Sequence, residues 1–165
     1  MGKSNDAGKS KTNAMRMLDR QKIPYRVHVY DAADGQIDGI SAAEKIGRPR
    51  ETVYKTLVAL GSDGEYYVFV IPVAWKLDLK RAAKAVGVKS VEMIPVADIN
   101  KVTGYVRGGC SPVGMKKEYV TVLDASCLSL PCIVVSAGKI GLQMEMNPDN
   151  LIKAVKARTE SISAE

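Results

Sequence analysis

The sequence predicts a single-domain α+β fold with a mixed, mostly antiparallel β-sheet and flanking α-helices. Its 165 residues suffice for one domain with a substantial hydrophobic core. Helix-like and strand-like segments are intermixed without the regular alternation of a doubly wound sheet. Several strand pairs are separated by turns too short for a crossover, so we expect these strands to be antiparallel neighbours.

The composition is that of an ordinary globular protein, with 46% hydrophobic and 25% charged residues. A net charge of +6 favours a polyanionic partner without naming one. The longest apolar run, Tyr66 to Trp75, is too short to cross a bilayer, and the polar N-terminus does not resemble a signal peptide. The 3 cysteines form no CxxC pair, which indicates reduced thiols. We therefore expect a cytoplasmic protein without membrane association.

The first segments are predicted to be a disordered lead-in, a helix and a strand. Residues 1 to 11 are polar and aperiodic, which is typical of disorder. Thr12 can cap the helix that follows, and Pro24 ends it. The alternating residues from Tyr25 to Tyr30 then predict a strand.

A second helix and a β-hairpin follow. Ser41 and Glu44 fit a capping box for a short helix that Gly47 closes. Two β-rich runs, Val53 to Leu60 and Tyr66 to Pro72, flank a short glycine-containing turn. This spacing predicts an antiparallel pair.

The middle of the chain continues with alternating short elements. Asp78 caps a basic helix that ends near Gly87. A strand is predicted from Val91 to Ile94, and Pro95 opens another short helix that extends to about Val102. A glycine-rich loop comes next.

The last part of the chain contains three strands and a helix. The predicted strands are Tyr119 to Leu123, Ile133 to Ser136 and Leu142 to Met146. Asn147 caps the final helix, with Pro148 at its first position. We expect the domain to occupy residues 12–157 and residues 158–165 to form a frayed tail.

Lys55 is the first residue with possible chemistry. Period-two alternation places it on the same strand face as Val53, Leu57 and Ala59, which is the more aliphatic face. Burial disfavours a charged lysine, and an anionic ligand restores the charge, so such a lysine can be reactive or can anchor an anion. The alternative is an edge-strand lysine whose stem packs while its ammonium group reaches water.

The loop from Gly104 to Gly114 is the second candidate. Its glycines and proline allow the backbone to approach a ligand and direct N–H groups at one anionic point. The alternative is an ordinary connection between strands. Cys110 lies inside this loop, but the chain has only one histidine, His28, so we expect an inert thiol rather than a nucleophile.

The turn after the strand ending at Ser136 is the third candidate. This turn could present a hydroxyl group and backbone donors to a ligand, although a structural turn is the default interpretation. Its residues are Ser136, Ala137, Gly138 and Lys139. The scarcity of histidine also argues against a zinc site, and we expect neither a metal nor a cofactor.

Four segments in order resemble the bacterial YbaK/EbsC family. They are VYKTLV at 53–58, LDLKRAAKAVG at 77–87, TGYVRGGCSPVG at 103–114 and VSAGKIGL at 135–142. The members of this family are Cys-tRNA(Pro) deacylases related to the editing domain of prolyl-tRNA synthetase. The likeness covers about Thr12 to Ala157. It implies a mixed sheet and helices around a small pocket that admits the aminoacylated 3′ end of tRNA(Pro), with prolyl-tRNA synthetase as a possible partner.

The resemblance also assigns residues to roles. It places the catalytic residues at Lys55, Gly108 and Ser136. It places the pocket tyrosine at Tyr30. We also expect substrate contacts from Gly109, Ser111 and Gly114 of the glycine loop and from Gln143. Gln143 stands where the family carries an aspartate, so a neutral amide replaces a carboxylate and the amino-acid selectivity is less secure than the reaction.

An aminoacyl ester is already activated, so its hydrolysis needs positioning and oxyanion stabilisation more than an enzyme nucleophile. We expect Gly108 and Gly109 to donate N–H groups to the oxyanion, Lys55 to hold the terminal phosphate or ribose, and Ser136 to orient the aminoacyl end. The family resemblance implies that the cysteine thiol of the substrate attacks its own ester. The alternatives are a deacylase for another small aminoacyl group, such as Ala-tRNA(Pro), and a noncatalytic module that binds tRNA or protein.

Overall fold

A computed structural model describes residues 11–165 as one α+β domain, which confirms the predicted fold class. The predicted lead-in, apart from Lys11, lies outside the described residues. The helices are α1 (Asn13–Arg20), α2 (Gly39–Ile46), α3 (Leu79–Val86), α4 (Ile99–Thr103) and α5 (Pro148–Val155). The strands are β1 (Arg26–Val29), β2 (Tyr54–Gly61), β3 (Tyr66–Pro72), β4 (Lys76–Leu77), β5 (Val91–Met93), β6 (Val120–Asp124), β7 (Ile133–Lys139), β8 (Leu142–Met146), β9 (Arg158–Glu160) and β10 (Ser163–Ala164).

The strands form two main sheets rather than one. The larger sheet has the order β5-β2-β3-β6-β9, with antiparallel pairs around β2 and parallel pairs around β6. The smaller sheet is antiparallel, in the order β1-β8-β7, and β4 pairs separately with β10. A single parallel bridge between Val53 and Val134 joins the start of β2 to β7. The two sheets therefore meet at this bridge.

The two faces of β2 are buried against different partners. Tyr54 and Val58 belong to the core that includes residues of α1, α5 and both sheets. Ala59, one residue along and on the opposite face, packs in a second core with Ala82 and Ala83 of α3. The sheet is thus covered on both sides, which explains the nearly continuous hydrophobic sequence of the hairpin.

Most of the predicted helix caps are confirmed. The side chains of Thr12, Asp78 and Asn147 each accept a hydrogen bond from a backbone N–H in the first turn of their helices. The predicted capping box at Ser41 is wrong, because Asp38 accepts the N–H of Ser41 and the helix begins at Gly39. Aspartate and serine both favour the N-cap position, and here Asp38, three residues before Ser41, occupies it.

The prediction of a frayed C-terminal tail is also wrong. β9 pairs in parallel with β6 and β10 pairs with β4. The side chain of Ile162 between them is 0% exposed. The buried carboxylate of Asp124 accepts the N–H of Ile162 at 3.0 Å and the hydroxyl of Ser163 at 2.8 Å. These contacts make the last residues part of the core.

A buried carboxylate ties β8 to its neighbours. Glu145 on β8 bonds with His28 of β1 at 2.6 Å and accepts a hydrogen bond from Arg48, which follows α2. His28 is thus a strand residue whose ring is engaged in a structural contact. Within residues 11–165, no helix combines the length and the apolar character needed to span a membrane.

Candidate active site

The site lies where β2 and β7 separate beyond their single bridge. Val53 and Val134 are paired at the bridge and pack with Ala43 of α2. Because side chains alternate along a strand, Lys55 and Ser136 are the next residues on the same faces, one step beyond the bridge on each strand. The bridge therefore brings two residues that are distant in sequence to the same cavity under α2.

A cavity of about 720 Å³ opens at this point. It lies between the start of α2, the first half of β2, the glycine-rich loop and the paired strands β7 and β8. Its lining residues are Gly35, Ile37, Asp38, Gly39, Ile40, Val53, Tyr54, Lys55, Thr56, Leu57, Val73, Arg107, Gly108, Cys110, Ser136 and Gln143. Four of the residues that the resemblance assigned to the site thus share one cavity, namely Lys55, Gly108, Ser136 and Gln143.

The register of the smaller sheet explains the position of Gln143. Gln143 is the direct antiparallel partner of Ser136, and the two side chains stand on the same face. Both side chains are buried, at 7% and 9% exposure, yet both reach the cavity. The hydroxyl oxygen of Ser136 accepts the N–H of Gly138 at 3.1 Å, which fixes its orientation at the turn.

Lys55 combines partial burial with a positive neighbour. Burial is the larger cause, and the charge of Lys76 the smaller one, that lower the pKa of Lys55 below its ordinary value of 10.5. Among residues 11–165, no acidic group forms an ion pair with Lys55. An anion bound in the cavity would offset both effects and stabilise the charged form.

Gly108 occupies the centre of a tight turn. The N–H of Gly109 donates to the carbonyl of Val106 at 2.9 Å, so Arg107 and Gly108 are the two central residues. The φ angle of Gly108 is 86°, as the third residue of a type II turn requires. A Cβ atom there would lie 2.7 Å from Cδ1 of Ile37. Within the described residues the N–H of Gly108 has no hydrogen-bond partner, which leaves it available to a ligand.

The other four residues expected to contact substrate, Gly109, Ser111, Gly114 and Tyr30, do not line this cavity, so their contacts with substrate stay predictions. Gly109 is buried against the backbone of Ile140, and its N–H is engaged in the turn. In contrast to the N–H of Gly108, this N–H already has a partner within the protein.

Ser111, Gly114 and Tyr30 have structural contacts instead. Ser111 is 0% exposed and accepts the N–H of Val113. Gly114 lies against α1, where a Cβ atom would be 3.0 Å from the nitrogen of Ala14. The buried Tyr30 ring lies 5.7 Å from the ammonium group of Lys45, and its hydroxyl group has no hydrogen-bond partner within the described residues. Of the loop from Gly104 to Gly114, only Arg107, Gly108 and Cys110 line the cavity.

Cys110 lines the cavity as a protonated thiol. Burial raises its pKa to about 11, against a smaller opposing effect of the Thr103 hydroxyl. At neutral pH a thiol of this kind is almost entirely unreactive. This agrees with the expectation that Cys110 is not the nucleophile.

Two charged residues of the cavity were absent from the predicted site. Asp38 lies at the entrance, where hydrogen bonds from the side chain and then the backbone of Ser41 lower its pKa. Arg107 lies at the tip of the glycine turn. The sequence did carry a signal for Arg107, because it is the only charged residue between Gly104 and Gly114. It carried none for Asp38, whose role depends on the packing of α2.

The segment before α2 forms one wall of the cavity and is held by a single lysine. The ammonium group of Lys45 donates to the carbonyls of Asp31 and Gln36 and to the carboxylate of Asp34, at 2.8, 3.0 and 2.8 Å. This segment carries Ile37 against Gly108. No group of three or more His, Cys, Asp or Glu side chains suited to a metal ion occurs in the described part of the chain.

This fold and cavity define a protein of the aminoacyl-tRNA editing domain family, to which the chain belongs. The profile of that family matches residues 36–154, which include all the cavity residues except Gly35. Among its relatives is a protein of Enterococcus faecalis named as a candidate Cys-tRNA(Pro)/Cys-tRNA(Cys) deacylase, EbsC. The two are 40% identical over 153 residues, which cover 93% of each chain.

Solved structures share the fold at lower sequence identity. A candidate trans-editing enzyme for prolyl tRNA synthetase has a TM-score of 0.81 at 22% identity, covering 93% of this chain and 96% of its own. A protein described only as hypothetical has a TM-score of 0.83 at 23% identity, covering 93% of this chain and 100% of its own. At this level of identity the likeness establishes the architecture alone.

Proposed function

We propose that this protein is a trans-editing aminoacyl-tRNA deacylase that removes cysteine wrongly attached to tRNA(Pro). The observation that carries the proposal is the convergence of Lys55, Gly108 and Ser136 on one cavity, in a chain of the editing family. The relative named as a Cys-tRNA(Pro)/Cys-tRNA(Cys) deacylase supports the same substrate class. Such a substrate places the protein in the cytoplasm, where translation occurs.

The proposed chemistry needs no enzyme nucleophile. The free N–H of Gly108 donates to the oxygen of the ester carbonyl as negative charge develops on it. Lys55 contributes positive charge on the opposite wall and holds the ribose or phosphate of the terminal nucleotide. Ser136, fixed at the end of β7, orients the aminoacyl group.

For a cysteinyl ester the attacking group belongs to the substrate. The thiol sulfur forms a bond to the ester carbonyl carbon, the bond to the ribose oxygen breaks, and that oxygen leaves with the proton of the thiol. Water then opens the cyclic thioester and releases cysteine. Proline has no thiol, so correctly charged tRNA(Pro) is spared without discrimination by size, which apolar pockets perform poorly.

A second candidate function is the deacylation of Ala-tRNA(Pro). The observation behind it is the neutral amide of Gln143, which faces the cavity beside Ser136. Alanine has no thiol, so its removal would require water as the attacking group. This difference makes the two functions separable.

The decisive experiment is deacylation by purified protein of a matched panel, namely tRNA(Pro) carrying cysteine, alanine, serine or proline. We expect rapid loss of cysteine and no loss of proline. Equal rates on the cysteinyl and alanyl substrates would eliminate the substrate-thiol mechanism. No turnover of any substrate would favour a noncatalytic binding module. Prolyl-tRNA synthetase is a proposed partner, and adding it should accelerate the reaction if it delivers the mischarged tRNA.

A further inference from the structure

The cavity carries positive charge that no acidic group of the described residues neutralises through an ion pair. Its charged lining residues are Lys55, Arg107 and Asp38, and Lys76 adds a further positive charge close to Lys55. Asp38 is occupied as the cap of α2. Within residues 11–165, neither Lys55 nor Arg107 forms a salt bridge or a side-chain hydrogen bond. This imbalance points to an anionic ligand.

The two unpaired cations occupy different depths. Lys55 is half-buried on β2, whereas Arg107 is exposed on the glycine turn at the cavity rim. Arginines without a partner among residues 11–165 also occur on the open surface, such as Arg16 and Arg20, so the absence of a partner alone is not informative. Arg107 differs in its position, because on this hydrogen-bonded turn it directly precedes Gly108, whose N–H has no partner among residues 11–165.

We infer that Arg107 binds the 5′ phosphate of the terminal nucleotide of the tRNA, an inference that rests on the proposed function. If the ester carbonyl accepts from Gly108, the 5′ phosphate lies on the other side of the same ribose. The long arginine side chain starts one residue before Gly108 and can span that ribose from the rim. Lys55, which lies deeper, is then left to contact the ribose.

The chemistry of arginine suits this role. Its planar guanidinium group donates two parallel hydrogen bonds to phosphate oxygens and stays charged at every physiological pH. The type II turn holds the start of the side chain in place, so less conformational freedom is lost on binding. Because a phosphate contact of this kind is the same in substrate and transition state, it should lower KM and leave kcat unchanged.

The test uses two stable ligands, a cysteinyl-adenosine with an amide in place of the ester, with and without a 5′ phosphate. We expect the native protein to bind the phosphorylated ligand about tenfold more tightly by calorimetry. Arg107→Met, which keeps the aliphatic stem, should remove that preference, and Arg107→Lys should restore part of it. Arg20→Met, an exposed arginine on α1, is the matched control and should retain the full preference.

Kinetics with Cys-tRNA(Pro) complete the test. Arg107→Met should raise KM about tenfold and change kcat by less than about twofold. A phosphate preference that survives in Arg107→Met, or that is absent from the native protein, would overturn the inference while the deacylase activity could still stand. Conversely, an Arg107-dependent preference without turnover of any mischarged tRNA would support the phosphate site and refute the proposed function.

Discussion

At the level of single residues, Lys55 shows how a candidate functional group lowers the stability of the folded protein. Its ammonium group is half-buried and lies near Lys76, and both effects lower its pKa. At pH values below the lowered pKa, Lys55 is charged in the folded protein, and the burial of this charge reduces the free energy of unfolding by its full amount. As pH rises from there to 10.5, the folded state loses its proton first and stability increases, so the cost disappears above that value.

Lys55→Met should therefore have opposite effects on activity and stability. We expect deacylation of Cys-tRNA(Pro) to fall at least about 100-fold, because the positive charge that positions the terminal nucleotide beside Gly108 is removed. At pH 7 the variant should melt at a higher temperature than the native protein, and the difference should shrink as pH approaches 10.5. Thermal unfolding across this pH range measures it. A lower melting temperature at pH 7 would contradict the assigned cost of burial.

Cys110 offers a second test at this scale. With a pKa raised to about 11, its thiol is protonated at neutral pH, and we expect Cys110→Ser to retain deacylation within about twofold. Alkylation of Cys110 by iodoacetamide should be slow at pH 7 and accelerate about tenfold per pH unit up to that pKa. Loss of turnover in Cys110→Ser would show that an enzyme thiol takes part.

At the level of elements, α2 and the segment before it form a unit that shapes the cavity. Asp38 caps the helix at the entrance, and Lys45 on the same helix reaches back to three acceptors of residues 31–36. The segment then presents Ile37 to Gly108. A helix and its preceding loop are thus linked to the proposed oxyanion donor.

Lys45→Met tests this linkage. Loss of the three hydrogen bonds should loosen residues 31–37 and lower kcat/KM for Cys-tRNA(Pro) by about three- to tenfold. The free energy of unfolding should change by less than about 1 kcal/mol, because these contacts are at the surface. Lys45→Arg should recover part of the activity, and Lys153→Met on α5 serves as an exposed control. Unchanged activity in Lys45→Met would separate the loop from catalysis.

At the level of the whole molecule, the C-terminal residues close the larger sheet. β9 adds a parallel strand to β6, and Asp124 at the end of β6 accepts hydrogen bonds from Ile162 and Ser163. Ile162 packs against the same core as Phe69 and Ala82. The chain end therefore contributes to the rigidity of the sheet that carries Lys55.

Ile162→Ala should lower the free energy of unfolding by about 3 kcal/mol, because it opens a cavity around a fully buried side chain. Urea denaturation measures the loss. Leu128→Ala is the matched control: that side chain is 60% exposed, so its removal should cost less than about 0.5 kcal/mol. Equal effects of the two substitutions would restore the interpretation of residues 158–165 as a frayed tail.

Local sequence signals predicted the elements whose structure depends only on a short stretch of the chain. The caps at Thr12, Asp78 and Asn147 and the hairpin of β2 and β3 depend on neighbouring residues, and they were predicted correctly. The placement of Lys55 on the face of Val53 also follows from the period of a strand. The tail was missed because its strands are only two or three residues long and pair with distant partners.

The amino-acid sequence by itself determined the α+β class, most of the elements and, through four ordered motifs, the editing family. Only the tertiary structure decided which motif residues share a cavity, because that depends on the bridge between Val53 and Val134 and on the path of the glycine loop. Arg107 lines this cavity, whereas Gly109 and Ser111, only a few residues away, do not. The physical reason is that a backbone N–H that is hydrogen-bonded within the protein is not available to a ligand. Which N–H groups are bonded in this way depends on the three-dimensional packing of the chain.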